Sequence, residues 1–205
     1  MTKTNPFLIV VLAVIGLFMS ALVGIIAWVA ADDYRPGPFR ETFTLINDRG
    51  ETVTETMFRG QPSLVYFGYT HCPEVCPTTL YDVSVWLKKL GPEGAGLKVY
   101  FITIDPERDT RQLLHGYVNA FTNRITGVTG DPEQIKKVVD GWMIHASKSA
   151  STNGDYHMSH TTSLLLIGSD ARLKYLLPYG TEDGVAVDRI RDFLKRDRRA
   201  AEANS

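Results

Sequence analysis

Sulfur is scarce in this chain: only two of its 205 residues are cysteine, Cys72 and Cys76. Two thiols make neither a disulfide framework nor a four-ligand zinc cage. Net charge is scarce as well. Lys and Arg number 22 against 23 Asp and Glu, leaving −1, so there is no basic field and nucleic acid is excluded as a partner. Internal repeats and low-complexity runs are missing too, which argues against solenoid and disordered classes. What remains is a chain long enough for one well-cored domain with additional segments.

Charge is absent altogether from residues 7–31, which are almost wholly apolar. At about 1.5 Å per residue such a helix exceeds the roughly 30 Å hydrocarbon core of a bilayer and spans it with some tilt. Lys3 precedes the segment and Asp32 and Asp33 follow it. The positive-inside rule then leaves the short N-terminus in the cytoplasm and the bulk of the protein on the other side. A cleavable signal peptide is the rival reading, since Val29-Ala30-Ala31 resembles a small-residue cleavage site. Its apolar core would run only about 7–15 residues, which favours an uncleaved anchor. A mitochondrial transit peptide would be rich in arginine, and this segment is not. Gly16, Ser20 and Gly24 recur every four residues, a helix-pairing pattern that also arises by chance in such spans; it supports no more than a weak homodimer.

The expected division is an anchor over 1–31, a linker with two prolines and a glycine over 32–38, a folded domain over 39–196 and a charged, frayed tail over 197–205. Within the domain, 39–46 and 51–54 read as a hairpin around Asn47-Asp48-Arg49-Gly50. Residues 63–69 read as a buried strand, and from Pro77 the spacing of Leu80, Val83, Leu87 and Leu90 predicts a helix stopped by Gly91-Pro92. Residues 97–104 form a second core strand. Asp109, with Gln112 three residues on, is the expected cap of the next helix, whose buried face carries Leu113, Leu114, Tyr117, Val118 and Phe121. A short strand over 125–129 leads to a helix capped by Asp131-Pro132, then a weak strand over 144–147. A turn-rich segment covers 149–155. Strands over 161–167 and 173–177 and a helix carrying Val187, Ile190, Phe193 and Leu194 complete an α/β sheet of mixed direction flanked by helices.

The informative stretch is Val65-Tyr66-Phe67-Gly68-Tyr69-Thr70-His71-Cys72-Pro73-Glu74-Val75-Cys76-Pro77. Both cysteines follow a core strand and open a helix, where the partial positive charge of the helix end lowers thiol pKa values. This is the thioredoxin arrangement, and it puts the pair at the carboxyl end of a strand, where open α/β sheets place their sites. Spaced i,i+4, the two Cα atoms lie roughly 6 Å apart on a helix, within disulfide range but towards its long end. The extra residue relative to Cys-x-x-Cys leaves room for an ion. Soft thiolates suit Cu(I), and an added imidazole would let the site hold Cu(II) too. A third ligand is therefore needed. His115 reads as solvated and His145 as a packed core histidine; His71 adjoins Cys72 but points elsewhere. His157 and His160 precede a core strand, in the loop that faces the dithiol of a thioredoxin-type sheet, and His160 is the stronger candidate. Met158 reads as packing. Asp105, Glu107, Arg108 and Asp109 end the neighbouring strand as a rim for a partner or, preferably, a brace for the site.

These residues resemble the Sco/SenC family of membrane-tethered copper proteins. The similarity runs through the Cys72–Cys76 motif, Ile104-Asp105-Pro106-Glu107-Arg108-Asp109-Thr110 and Thr126-Gly127-Val128-Thr129-Gly130, in that order. The resemblance implies a thioredoxin-like fold and one copper ion, as Cu(I) or Cu(II), held by Cys72, Cys76 and His160. It implies delivery of copper to the dinuclear site of cytochrome c oxidase subunit II or another copper-site protein, or reduction of that site's cysteines by a redox-active Cys72–Cys76 pair. The implied location is the inner membrane with the domain in the periplasm. Ser159 stands where the family commonly has Asp before the ligand histidine, and His71 and His157 are extra imidazoles.

Overall fold

The computed structural model describes residues 6–32, 42–150 and 156–203. The predicted linker from residue 33, the start of the predicted first strand and most of the turn-rich 149–155 segment lie outside these. Helix α1, Pro6–Asp32, is a continuous apolar helix, and Ile9–Ala27 within it has a mean hydropathy of 2.9. It is long and apolar enough to cross a membrane.

The remaining described residues build a seven-stranded mixed sheet flanked by helices, the thioredoxin-like class expected. Its strands are β1 (Thr44–Asn47), β2 (Thr52–Thr54), β3 (Ser63–Gly68), β4 (Lys98–Thr103), β5 (Ile125–Thr129), β8 (Leu164–Ile167) and β9 (Leu173–Leu177), in the order β2-β1-β5-β4-β3-β8-β9. Strands β3, β4 and β5 are parallel, while β1, β8 and β9 run antiparallel to their neighbours. All six residues of β3 are buried, which explains why it reads as a continuous apolar run rather than an alternating one. The helices are α2 (Val75–Leu90), α3 (Arg111–Asn119), α4 (Pro132–Gly141) and α5 (Asp183–Ala203). A separate two-stranded ribbon, β6 (Ala146–Ala150) and β7 (Tyr156–His160), precedes β8.

Four expectations are corrected. Helix α2 starts at Val75 rather than Pro77, so Cys76 lies in its first turn, where a proline costs no backbone hydrogen bond. Asp109 does not cap α3. Thr110 does, accepting from the Leu113 N–H, while the Asp109 side chain is wholly buried. His157 and His160 lie on a strand, not in a loop. The charged tail from 197 is helical to Ala203, and its first residue, Asp197, is buried and accepts the Ser169 N–H at 2.9 Å.

One end of the core is an aromatic cluster. Phe58, fully buried, meets Phe43, Tyr100 and Trp142 edge-on, the last at 5.4 Å between ring centroids. Replacing Phe58 with alanine should destabilise the domain by about 3–5 kcal/mol in chemical denaturation, the cost of an unfilled aromatic cavity.

Candidate metal centre

The site begins where β3 ends. Beyond Gly68 the chain turns through Tyr69 to Glu74 before α2, and the Cys72 N–H donates to the Tyr69 carbonyl at 3.3 Å. Glu74, at the helix cap, makes no side-chain capping bond. The Cys72 sulfur does that work, accepting the Cys76 N–H at 3.4 Å. The loop is pinned from below by Asp109. Its carboxylate accepts the Thr70 N–H at 3.1 Å, the Thr70 hydroxyl at 2.6 Å and the Thr103 hydroxyl at 2.6 Å. Burial pushes the Asp109 carboxyl above its usual range, and the two threonines pull it back.

Gly68 is needed for close approach rather than for a special backbone angle. A Cβ there would stand 2.8 Å from the Phe101 ring and 2.9 Å from the Cys76 sulfur. Cys76 is fully buried and Cys72 only half-buried. The third member arrives from β7. Nε2 of His160 lies 3.6 Å from Cys76 Sγ, and the ligand atoms of Cys72, Cys76 and His160 all fall within 4.8 Å of one another. His160 Nδ1 is 2.8 Å from the Thr161 carbonyl oxygen. A carbonyl only accepts, so Nδ1 carries the proton and Nε2 turns its lone pair towards the sulfurs. The rings of Tyr66 and Tyr69 meet the imidazole at 6.2 and 5.9 Å.

The two thiols are not equivalent. The Cys76 S–H, donating to Cys72, lowers the Cys72 thiol to about 5 against the effect of burial. Backbone N–H groups of Cys76 and Glu74 add to this. Cys76, which keeps the shared proton and is desolvated, is pushed well above the ordinary thiol range. The Tyr66 hydroxyl donates to Cys76 Sγ at 3.6 Å, and its own pKa is raised, mainly by burial. The pair therefore holds one proton tightly and one loosely.

Other sequence candidates go elsewhere. Along β7, Tyr156, Met158 and His160 are half-buried while His157 and Ser159 are exposed on the opposite face, so alternation removes His157 from the cluster. The His71 ring is half-exposed, with Nδ1 3.1 Å from the Thr70 hydroxyl. His145 is exposed rather than packed in the core. His115 is not simply solvated: its Nδ1 lies 2.9 Å from the buried Asp48 carboxylate. Met158 packs against the core, as expected. The loop after β4 is a brace. Asp105 is buried, paired with Arg108 and bonded by the Tyr156 hydroxyl at 2.6 Å. Sequence reasoning missed Tyr66, Tyr69 and Gly68. Their signal was available: two tyrosines and a glycine at the end of the strand that delivers a dithiol.

A family model described as SCO1/SenC matches residues 31–195. The chain is 36% identical over 162 residues to the mitochondrial SCO1 homolog 1 of Arabidopsis thaliana, covering 75% of this chain and 47% of that protein. It thus spans about half the length of that curated relative. Copper-bound ScoI of Bradyrhizobium japonicum matches with a TM-score of 0.69 at 35% identity, over 76% of this chain and 97% of that one. Copper-bound ScoI of Arabidopsis thaliana matches with a TM-score of 0.71 at 30% identity, over 79% and 99%.

The asymmetry of the dithiol is measurable by alkylation. Iodoacetamide should modify Cys72 well before Cys76, with a rate that rises as the thiolate forms around pH 5 and is level at neutral pH. Cys76→Ala removes the main hydrogen bond to Cys72, so the rise should move to higher pH.

Proposed function

The chain belongs to the SCO1/SenC family, and from that premise we propose that it is a copper chaperone carrying one ion on Cys72, Cys76 and His160. The observation that carries the reading is the convergence of two sulfurs and a correctly protonated imidazole within 4.8 Å. Two soft thiolates favour Cu(I), and the imidazole extends the range to Cu(II). Three ligands leave one side of the ion open, and Cys72, the more accessible sulfur, is placed to exchange it with the thiols of an acceptor. The acceptor is the dinuclear copper site of cytochrome c oxidase subunit II or another copper-site protein. Helix α1 anchors the domain in the inner membrane, on its periplasmic side, where the search for a membrane-bound acceptor is two-dimensional.

A second reading rests on the same pair. A thiolate at Cys72 beside a proton-bearing Cys76 suits attack on a disulfide, so the domain would reduce the acceptor's cysteines before copper loading. That activity needs Cys72 and Cys76 but not His160. His160→Ala separates the two: a chaperone loses both oxidase maturation and the intense thiolate-to-Cu(II) absorption, whereas a reductase keeps its thiol turnover and supports maturation. Unchanged maturation by His160→Ala would overturn the chaperone reading.

Proton counting gives a further check. Because Cys72 is already a thiolate at neutral pH and Cys76 is not, loading one Cu(I) should release about one proton, and acid should expel the metal as the ligands reprotonate. Titration calorimetry in buffers of different ionisation enthalpy reads the proton release directly.

A further inference from the structure

His160 belongs to the β6–β7 ribbon, which is not part of the seven-stranded sheet. An isolated two-stranded hairpin is marginally stable, so its position has to be set by what holds it to the domain. Beside it lies an open groove of about 400 Å³ lined by Ile104, Glu107, Ile135, Val139, Lys148 and Met158, so the ribbon is not packed against the domain along its whole length. Ala146 and Met158 pack against the core and Tyr69 bonds the Met158 backbone, while several of the polar contacts that cross meet at one residue. The Arg108 guanidinium stacks on the Tyr156 ring at 3.7 Å and donates to the Tyr156 carbonyl at 3.1 Å. It also pairs with Asp105, which accepts the Tyr156 hydroxyl. On its other side Arg108 lies 5.8 Å from the Tyr69 ring, whose own edge-on partner is His160 at 5.9 Å. Lys148 of β6 adds a bond to Glu107 at 2.6 Å. Tyr156 and His160 project from the same face of β7, so a clasp on the first sets the reach of the second.

We propose that Arg108 is a positioning residue: by clasping Tyr156 and backing Tyr69, it seats the β6–β7 ribbon where the His160 imidazole meets the two sulfurs. This inference rests on the copper-chaperone reading and adds to it a determinant of affinity that touches neither the metal nor the thiols. The site then has two separable parts, a dithiol fixed by α2 and an imidazole whose presence depends on the clasp. A planar guanidinium that stacks on one tyrosine while its Nε and Nη1 reach a buried carboxylate and a backbone carbonyl is a role that lysine does not reproduce.

The test is a double-mutant cycle on the full-length protein, reading Cu(I) affinity by competition with a chromophoric Cu(I) chelator. Arg108→Ala should weaken Cu(I) binding about tenfold or more, weaken the nitrogen hyperfine pattern of the Cu(II) form, and speed amide exchange along β7. The reduction midpoint of the Cys72–Cys76 pair should not move. In the His160→Ala background the same substitution should cost nothing further. An equal loss in both backgrounds, or a matching shift of the dithiol midpoint, would make Arg108 a general structural residue and overturn the inference. So would wild-type copper affinity in Arg108→Ala. Wild-type copper affinity in His160→Ala alone would instead strike the ligand set, and the two failures are read from different variants.

Discussion

Everything in the site depends on one contact made across 84 residues of chain, the 3.6 Å approach of His160 Nε2 to the buried sulfur of Cys76. A sulfur without solvent exposure is reached only from within the fold, and three features make the approach feasible. Gly68 withholds the Cβ that would stand 2.9 Å from the sulfur. Antiparallel pairing of β8 with β3 brings the segment before β8 to the carboxyl end of β3. The Thr161 carbonyl accepts a hydrogen bond from His160 Nδ1–H and so turns the free nitrogen inward.

The pair of sulfurs is asymmetric for the same reason. Burial and the shared hydrogen bond keep the proton on Cys76, while Cys72, capping the helix and partly open to solvent, holds negative charge. A symmetric dithiol would bind metal and proton alike at both ends. On the proposed readings, ion transfer and disulfide chemistry would both start from the more exposed Cys72 and would differ in whether His160 takes part.

The fold was legible wherever apolar periodicity was strong. Strands β3, β4, β5 and β9, helices α2 and α4 and the cysteine pair all lie where their patterns put them, within two residues. The ribbon carrying His160 was legible only in part: 144–147 read as a weak strand that overlaps β6, whereas the Ser- and His-rich stretch that follows read as turn and loop. Its extended form comes from pairing between the strands. The preference for His160 over His157 was already made from position before the core strand, and strand parity supplies its physical reason. Asp109 was misread because an acidic residue before a helix is most simply a cap. Its burial against Thr70 and Thr103 follows from the tertiary approach of β3 and β4. Helix α5 continues past residue 196, and within that stretch Asp197 is buried, which no surface-charge pattern announces.

The loop after β4 holds the two walls of the site through adjacent residues. Asp109 grips Thr70, two positions before Cys72, and Arg108 grips Tyr156, four positions before His160. Neither contact is part of the sheet. The walls come from distant parts of the chain, so a shared anchor is the economical way to keep their separation constant while each wall remains loop or ribbon. Asp105 ties the anchor together, accepting from both Arg108 and Tyr156 while its own N–H is held by the Thr103 hydroxyl. Thr103 in turn donates to Asp109, which closes the circuit. Residues 105–109 thus tie the dithiol loop and the ribbon to one buried hydrogen-bonded circuit, which fixes the separation of the two walls.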